Sequence, residues 1–215
     1  MKETPLILQG WGVKATLDGL KTQTRRTYGL EKINESPNEW GKPRYDGDGI
    51  WLFPHEYGDI VEIKCPYGGP GDTLWIREAW AENERGQILY KADYESITRA
   101  MDFPLIPIKW KPSIFLPKEK ARLWREIVSV RAERVQEISE EDAKAEGCQL
   151  IARTIRPFSL SPQPHFTEPE RPFIYRDHFI GIWDSLNAKR GYGWDFNPWV
   201  WPIEYKQLPE RSEGC

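Results

Sequence analysis

Hydrophobic positions along the chain change period several times, and each change predicts an element. "TPLILQG" is a short apolar run closed by glycine, which reads as a buried strand. In "WGVKATLDGL", Val13, Leu17 and Leu20 recur at helical spacing, and Gly19 marks the helix end. "LKTQTRR" then leaves the helix as an extended or looped segment. Residues 31–58 lose all periodicity and fill with Gly, Pro, Asn and Asp, which predicts a long surface loop with a hairpin tip at "DGDG". "IVEIKC" has strand character and "PYGGPGD" is a turn cluster. "TLWIREAW" alternates, with Leu74, Ile76 and Glu78 on one face and Trp75, Arg77 and Ala79 on the other.

Residues 81–120 read as an insertion holding the short strand "QILYKAD". Prolines at 104, 107, 112 and 117 exclude a continuous helix there. The β-branched run "EIVSVRAERV" predicts a strand. "SEEDAKAEG" predicts a short helix capped by Ser139, acidic in its first turn and stopped by Gly147. Residues 150–175 are punctuated by prolines and form a second insertion. Phe179, Ile182, Trp183 and Leu186 give "FIYRDHFIGIWDSLNAKRG" one apolar helical face. "WVWPIEYKQL" closes the chain's pattern as a strand. The order predicts a single α+β domain, a small β-barrel with helices packed at its rim and two insertions.

Composition adds two constraints. Eleven tryptophans, nine tyrosines and eight phenylalanines supply core area and surfaces on which bases can stack. A net charge of −3 argues against a protein that coats nucleic acid through a broad basic face, yet leaves room for a local basic pocket. Cys65, Cys148 and Cys215 are scattered, and His55, His165 and His178 have no ligand spacing, so neither a metal, a cofactor nor a disulfide framework is expected. With no apolar run of membrane length and no h-region at the start, the expectation is a cytoplasmic protein with no membrane partner.

Several segments together resemble the ASCH domain of the PUA-like superfamily. "LDGLKTQTRR" resembles its helix-end motif, "GDTLWI" the opening of a barrel strand, "ISEEDAKAEG" its short acidic helix and "VWPIEY" its last strand. "LWIREAW" and "WDSLNAKRGYGWDFNPWVW" are similar to ASCH-type proteins carried by phages and prophages. The resemblance implies a PUA-like barrel with a cleft that takes a nucleoside, nucleotide or RNA. One branch of the family removes the acetyl group of N4-acetylcytidine without metal or cofactor. Its catalytic lysine, threonine and glutamate match Lys21, Thr24 and Glu146. Other relatives imply two alternatives, a non-catalytic binder of RNA or modified bases and a ribonuclease.

Amide hydrolysis needs a nucleophile, a base and a group that steadies the oxyanion. Thr24 is the candidate nucleophile. Lys21 acts as base only if its pKa falls about three units from roughly 10.4. Burial, Arg25 and Arg26 push that way, and Glu146 pushes against it. Direct pairing of Glu146 with Lys21 would give the base role to Glu146 and the oxyanion role to Lys21. Candidate substrate-binding residues are Arg25 and Arg26, whose forks suit a phosphate or a base carbonyl, with Arg26 favoured. Arg77 and Glu78 are candidates too, with a cross-strand ion pair as the alternative. Tyr192 and Trp194, in a glycine-flanked loop, are candidates for stacking on a base, with plugging of the barrel end as the alternative.

Overall fold

The structure is a computed structural model that describes residues 1–94, 108–150 and 175–208. Most of the second insertion, His165, Pro104, Pro107 and Cys215 lie outside the described residues. The fold is α+β, and its main sheet curls into a half-barrel compatible with a small β-barrel. Its strands are β1 (Glu3–Ile7), β2 (Gln23–Arg26), β6 (Thr73–Arg77), β9 (Trp124–Val130), β10 (Glu133–Arg134) and β11 (Trp199–Gln207). They run in the order β1-β6-β9-β11-β10, with β2 also paired to β11. The β1–β6 pair is parallel and the other pairs are antiparallel. β10 pairs with β11 alone, and the sheet's other two edges belong to β1 and β2. There Arg26 Nη2 donates to the Ile7 carbonyl at 2.8 Å, so one guanidinium ties the two edges together.

β11 divides two cores, and its period of two explains why both of its faces are buried. Trp199, Trp201, Ile203 and Tyr205 enter the larger core, where they meet Leu6, Val13, Leu74, Ile76 and Ile127. Val200 enters the smaller one, against Phe179 and Trp183 of helix α3 (Tyr175–Asn187) and Ala143 of helix α2 (Glu140–Ala145). Registers Ile203↔Thr24 and Trp201↔Arg26 set Thr24 and Arg26 on the face of β2 toward the larger core. Gln23 and Arg25 take the other face.

The structure departs from the sequence expectation in two stretches. Helix α1 spans Gly10–Leu17 as the spacing requires, but Leu17 and Leu20 are exposed. Its buried positions are Gly12, Val13, Ala15 and Thr16, because the helix packs closely enough to favour small side chains. Residues 31–58 are not a surface loop. Ile33 and Phe53 are fully buried, and β3 (Arg44–Tyr45), β4 (Ile50–Pro54) and β5 (Ile60–Lys64) make a separate three-stranded sheet. The expected hairpin tip is present, with Asp46 Oδ1 accepting from the Asp48 and Ile50 N–H groups.

In the first insertion, β7 (Trp80–Glu82) and β8 (Ile88–Tyr90) form a two-stranded ladder. Trp75 and Trp80 are both core residues. Helix α2 forms as expected, with Ser139 Oγ accepting from the Asp142 N–H at 3.0 Å.

Candidate functional site

The motif residues are placed by the end of α1. Gly19 adopts φ 71°, and the Leu20 and Lys21 N–H groups both donate to the Ala15 carbonyl. The chain then docks on the end of α2. Lys21 forms an isolated antiparallel bridge with Glu146, and the Thr22 N–H donates to the Ala145 carbonyl at 2.8 Å. Gly147 follows with φ 84°, and a Cβ there would lie 3.0 Å from Ala15 Cβ and 3.1 Å from Lys21 Cβ. Glycine at this position lets α2 approach α1 closely enough to bring Glu146 to Lys21.

Lys21 Nζ donates to the Glu146 carboxylate at 2.6 Å and to the Glu146 carbonyl at 2.7 Å. Both residues are buried. Desolvation lowers the Lys21 pKa below its ordinary value, and the Glu146 carboxylate pulls back without cancelling the effect. An ammonium has three N–H groups, so one remains after these two bonds. The Trp11 ring lies 5.4 Å from Nζ.

Arg25 occupies the other side of Glu146. Its guanidinium donates to Glu133 and Asp142 at 2.7 Å each and to Glu146 at 3.4 Å, and Gln23 Oε1 accepts a further N–H. Burial disfavours its charge, but Glu146, Glu133 and Asp142 more than compensate, so its pKa rises. Burial raises the Asp142 pKa, and bonds from Gln23 with the charges of Arg25 and Arg131 reverse that, leaving it lowered. The Phe179 ring lies 5.8 Å from the Arg25 guanidinium, which couples the ionic network to α3.

Lys21, Glu146 and Arg25 front a cavity of about 260 Å³. Thr24, Arg26 and Thr27 line it from β2 and the residue after it, and Leu8, Trp11 and Gly12 from the first turn and α1. Phe179, Ile182, Trp183 and Leu186, the apolar face of α3, form the opposite wall. Tyr28, Tyr67 and Arg190 complete the lining. Among the described residues, the Thr24 side chain has no hydrogen-bond partner.

Of the residues singled out from sequence, Lys21, Thr24, Glu146, Arg25 and Arg26 therefore meet at one cavity. The other four do not line it. β6 ends at Arg77, whose guanidinium sits 4.6 Å from the Trp75 ring. Glu78 is buried and accepts from Arg122 at 2.8 and 3.0 Å, so it is taken up by an ion pair. Tyr192 accepts the Trp183 indole N–H through its carbonyl, and its ring packs near Phe196. Trp194 packs on Phe179 and under Arg176, as part of the smaller core. The aromatics of the cavity are instead Trp11, Tyr28, Tyr67 and those of α3. Trp11 and Tyr28 flank the motif in sequence, and exposures of 39% and 61% set them apart from the buried tryptophans.

Among the described residues, no group of three or more His, Cys, Asp or Glu side chains is placed to hold a metal ion, and no helix is long and apolar enough to cross a membrane. No protein-family model, curated protein or solved structure matches the chain.

Proposed function

We propose that this chain is an ASCH-type protein with a PUA-like barrel, and that it hydrolyses an N-acyl group from a nucleoside bound in the cavity, N4-acetylcytidine being the model substrate. The observation that carries the proposal is the buried Lys21–Glu146 pair opening onto a cavity that Thr24 and several aromatics also line. At about 260 Å³ the cavity lies just under the usual range of small-ligand sites, the scale of a single nucleoside or nucleotide unit. Trp11 and Tyr28, the exposed aromatics of the lining, offer faces on which a base can stack.

Direct pairing of Lys21 with Glu146 supports the following division of roles. Lys21 uses two N–H groups on Glu146, and its third stabilises the oxyanion formed from the acyl oxygen. Thr24 Oγ attacks the acyl carbon and its proton passes to Glu146. The C–N bond breaks as the leaving amine takes that proton, and water then hydrolyses the threonyl ester. The test is chromatographic detection of cytidine released from N4-acetylcytidine. Turnover that disappears in Lys21→Ala and Thr24→Ala supports the proposal. No turnover by the wild type, or equal turnover in these variants, removes it.

A second reading, a binding module for RNA or a modified base, draws on a different observation. Thr24 has no base bonded to it among the described residues, and Glu146 is already engaged by Lys21 and Arg25. That reading requires saturable binding of the nucleoside that Thr24→Ala leaves unchanged, with no product.

A further inference from the structure

The cations around the cavity fall into two groups. Lys21 and Arg25 are neutralised by Glu146, Glu133 and Asp142. Arg26 and Arg190 line the same cavity and form no ion pair with any described carboxylate. Arg26 is held in place by its bond to the Ile7 carbonyl, yet its Nε is buried with no hydrogen-bond partner. Buried N–H groups in folded proteins nearly always have an acceptor, so this guanidinium, which lines the cavity, keeps hydrogen-bonding capacity that no described side chain uses. Arg190 approaches from the turn after α3, with its guanidinium 5.8 Å from the Tyr192 ring.

Tyr28 and Tyr67 line the cavity together with these two arginines and bring hydroxyl donors. Their rings meet edge to face at 6.4 Å, which fixes one against the other. Burial raises the pKa of Tyr67, and the charges of Arg26 and Arg190 both pull it down, so both guanidinium groups lie within electrostatic reach of one phenol. Among the described residues, the single acidic group lining the cavity is Glu146, which is paired with Lys21 and Arg25.

We infer that Arg26, Arg190, Tyr28 and Tyr67 form a phosphate subsite, and that the nucleoside of the proposed function enters carrying a phosphate group. The substrate class is then a nucleotide or the phosphorylated residue of an RNA. Planar guanidinium forks bind phosphate oxygens through paired N–H bonds, and phenol hydroxyls add donors at little entropic cost. The identity of the base rests on the proposed function; the subsite itself rests only on the arginines and tyrosines.

The test is direct. Inorganic phosphate is titrated into the isotope-labelled full chain while the arginine Nε–H signals are followed by NMR, with chloride at matched ionic strength as control. Affinities of cytidine, cytidine 5′-monophosphate and a cytidine dinucleotide are measured alongside. Phosphate shifts the Arg26 and Arg190 signals, and the monophosphate binds about tenfold or more tightly than cytidine. Arg190→Gln, a substitution at an exposed position, removes most of that advantage without unfolding the chain. Tighter binding of the dinucleotide than of the monophosphate assigns the subsite to a diester and the reverse order to a monoester. Arginine signals unmoved by phosphate overturn the inference, as does an equal loss of cytidine and monophosphate affinity in Arg190→Gln. Failure of cytidine to bind while phosphate still moves the arginine signals leaves the subsite standing and counts against the base assignment alone.

Discussion

Lys21 donates to both the side chain and the main chain of one residue, Glu146, at 2.6 and 2.7 Å. The carbonyl bond ties the ammonium to the end of α2, and the carboxylate bond balances its charge. Removing the Glu146 side chain leaves the buried ammonium with only its bond to the main-chain carbonyl, and removing Lys21 leaves the buried carboxylate with only the longer contact to Arg25. Lys21→Met and Glu146→Leu are each expected to cost about 3–5 kcal/mol, whereas the double variant costs clearly less than their sum. Urea unfolding of the four proteins measures the coupling, and additive losses would show that the pair contributes nothing as a pair.

Gly147 sets the distance between the two halves of the site. With φ at 84°, a methyl group there would be strained and would crowd Ala15 and Lys21 at 3.0 and 3.1 Å, forcing them to give way. Gly147→Ala is expected to destabilise the chain by about 2 kcal/mol, from the left-handed backbone and the crowding together. Activity should fall further than stability, because the substitution displaces Lys21 from Glu146. Calorimetry and turnover on the same preparation check this; a variant as stable and active as the wild type would contradict it.

Alkaline pH should unfold the chain earlier than its net charge suggests. Burial raises the Cys65 thiol pKa from 9.0 to about 11. Burial, with Glu146 nearby, raises that of Cys148 to about 12. Above pH 9 the unfolded chain releases thiol protons that the folded chain retains, so the folded state binds more protons and loses stability as pH rises. The contribution is fully present below about pH 9 and is lost as pH climbs through about 11 to 12. Cys65→Ala and Cys148→Ala should each flatten the fall in unfolding free energy over that window, by up to ~3 kcal/mol at its upper end. Equal slopes in wild type and variants would rule the thiols out.

The role of Lys21 can be read from a pH–rate profile. Its pKa is lowered by burial below 10.5. If it donates to the oxyanion as an ammonium, kcat declines with rising pH at values below the ordinary lysine range. A lysine acting as base gives the opposite limb, with kcat rising through the same interval. The declining limb is expected, with circular dichroism confirming that the chain is still folded at each point.

Local signals in the sequence carried β11, α2 and α3, because strand alternation, a serine cap and an apolar stripe each need only a few neighbouring residues. They failed where burial is achieved by small or irregularly spaced groups. The inner face of α1 is Gly12, Val13, Ala15 and Thr16, of which the helical spacing caught only Val13, while the leucines it also caught face outward. In residues 31–58 the turn-forming residues masked Ile33 and Phe53, which are fully buried.

The site divides the same way. Lys21 and Glu146 stand 125 residues apart, and no local pattern relates them; only the resemblance to a known family suggested the pairing. Arg25 reads as half of a basic doublet in sequence and proves to be the hub of a buried ionic network. The arginine beside it, on the opposite face of β2, is the one left without a carboxylate. Glu78 and Trp194 fulfil pairing and packing needs that lie far from them in sequence, through Arg122 and Phe179.

The most direct measurement is kcat/KM for N4-acetylcytidine in the wild type, Thr24→Ser and Thr24→Ala, with folding of each verified by near-ultraviolet circular dichroism. A hydroxyl nucleophile supported by the Lys21–Glu146 pair predicts that serine retains activity to within about tenfold and that alanine loses about 10³-fold or more. Alanine turning over as fast as threonine, or a wild type that releases no cytidine, would contradict the account.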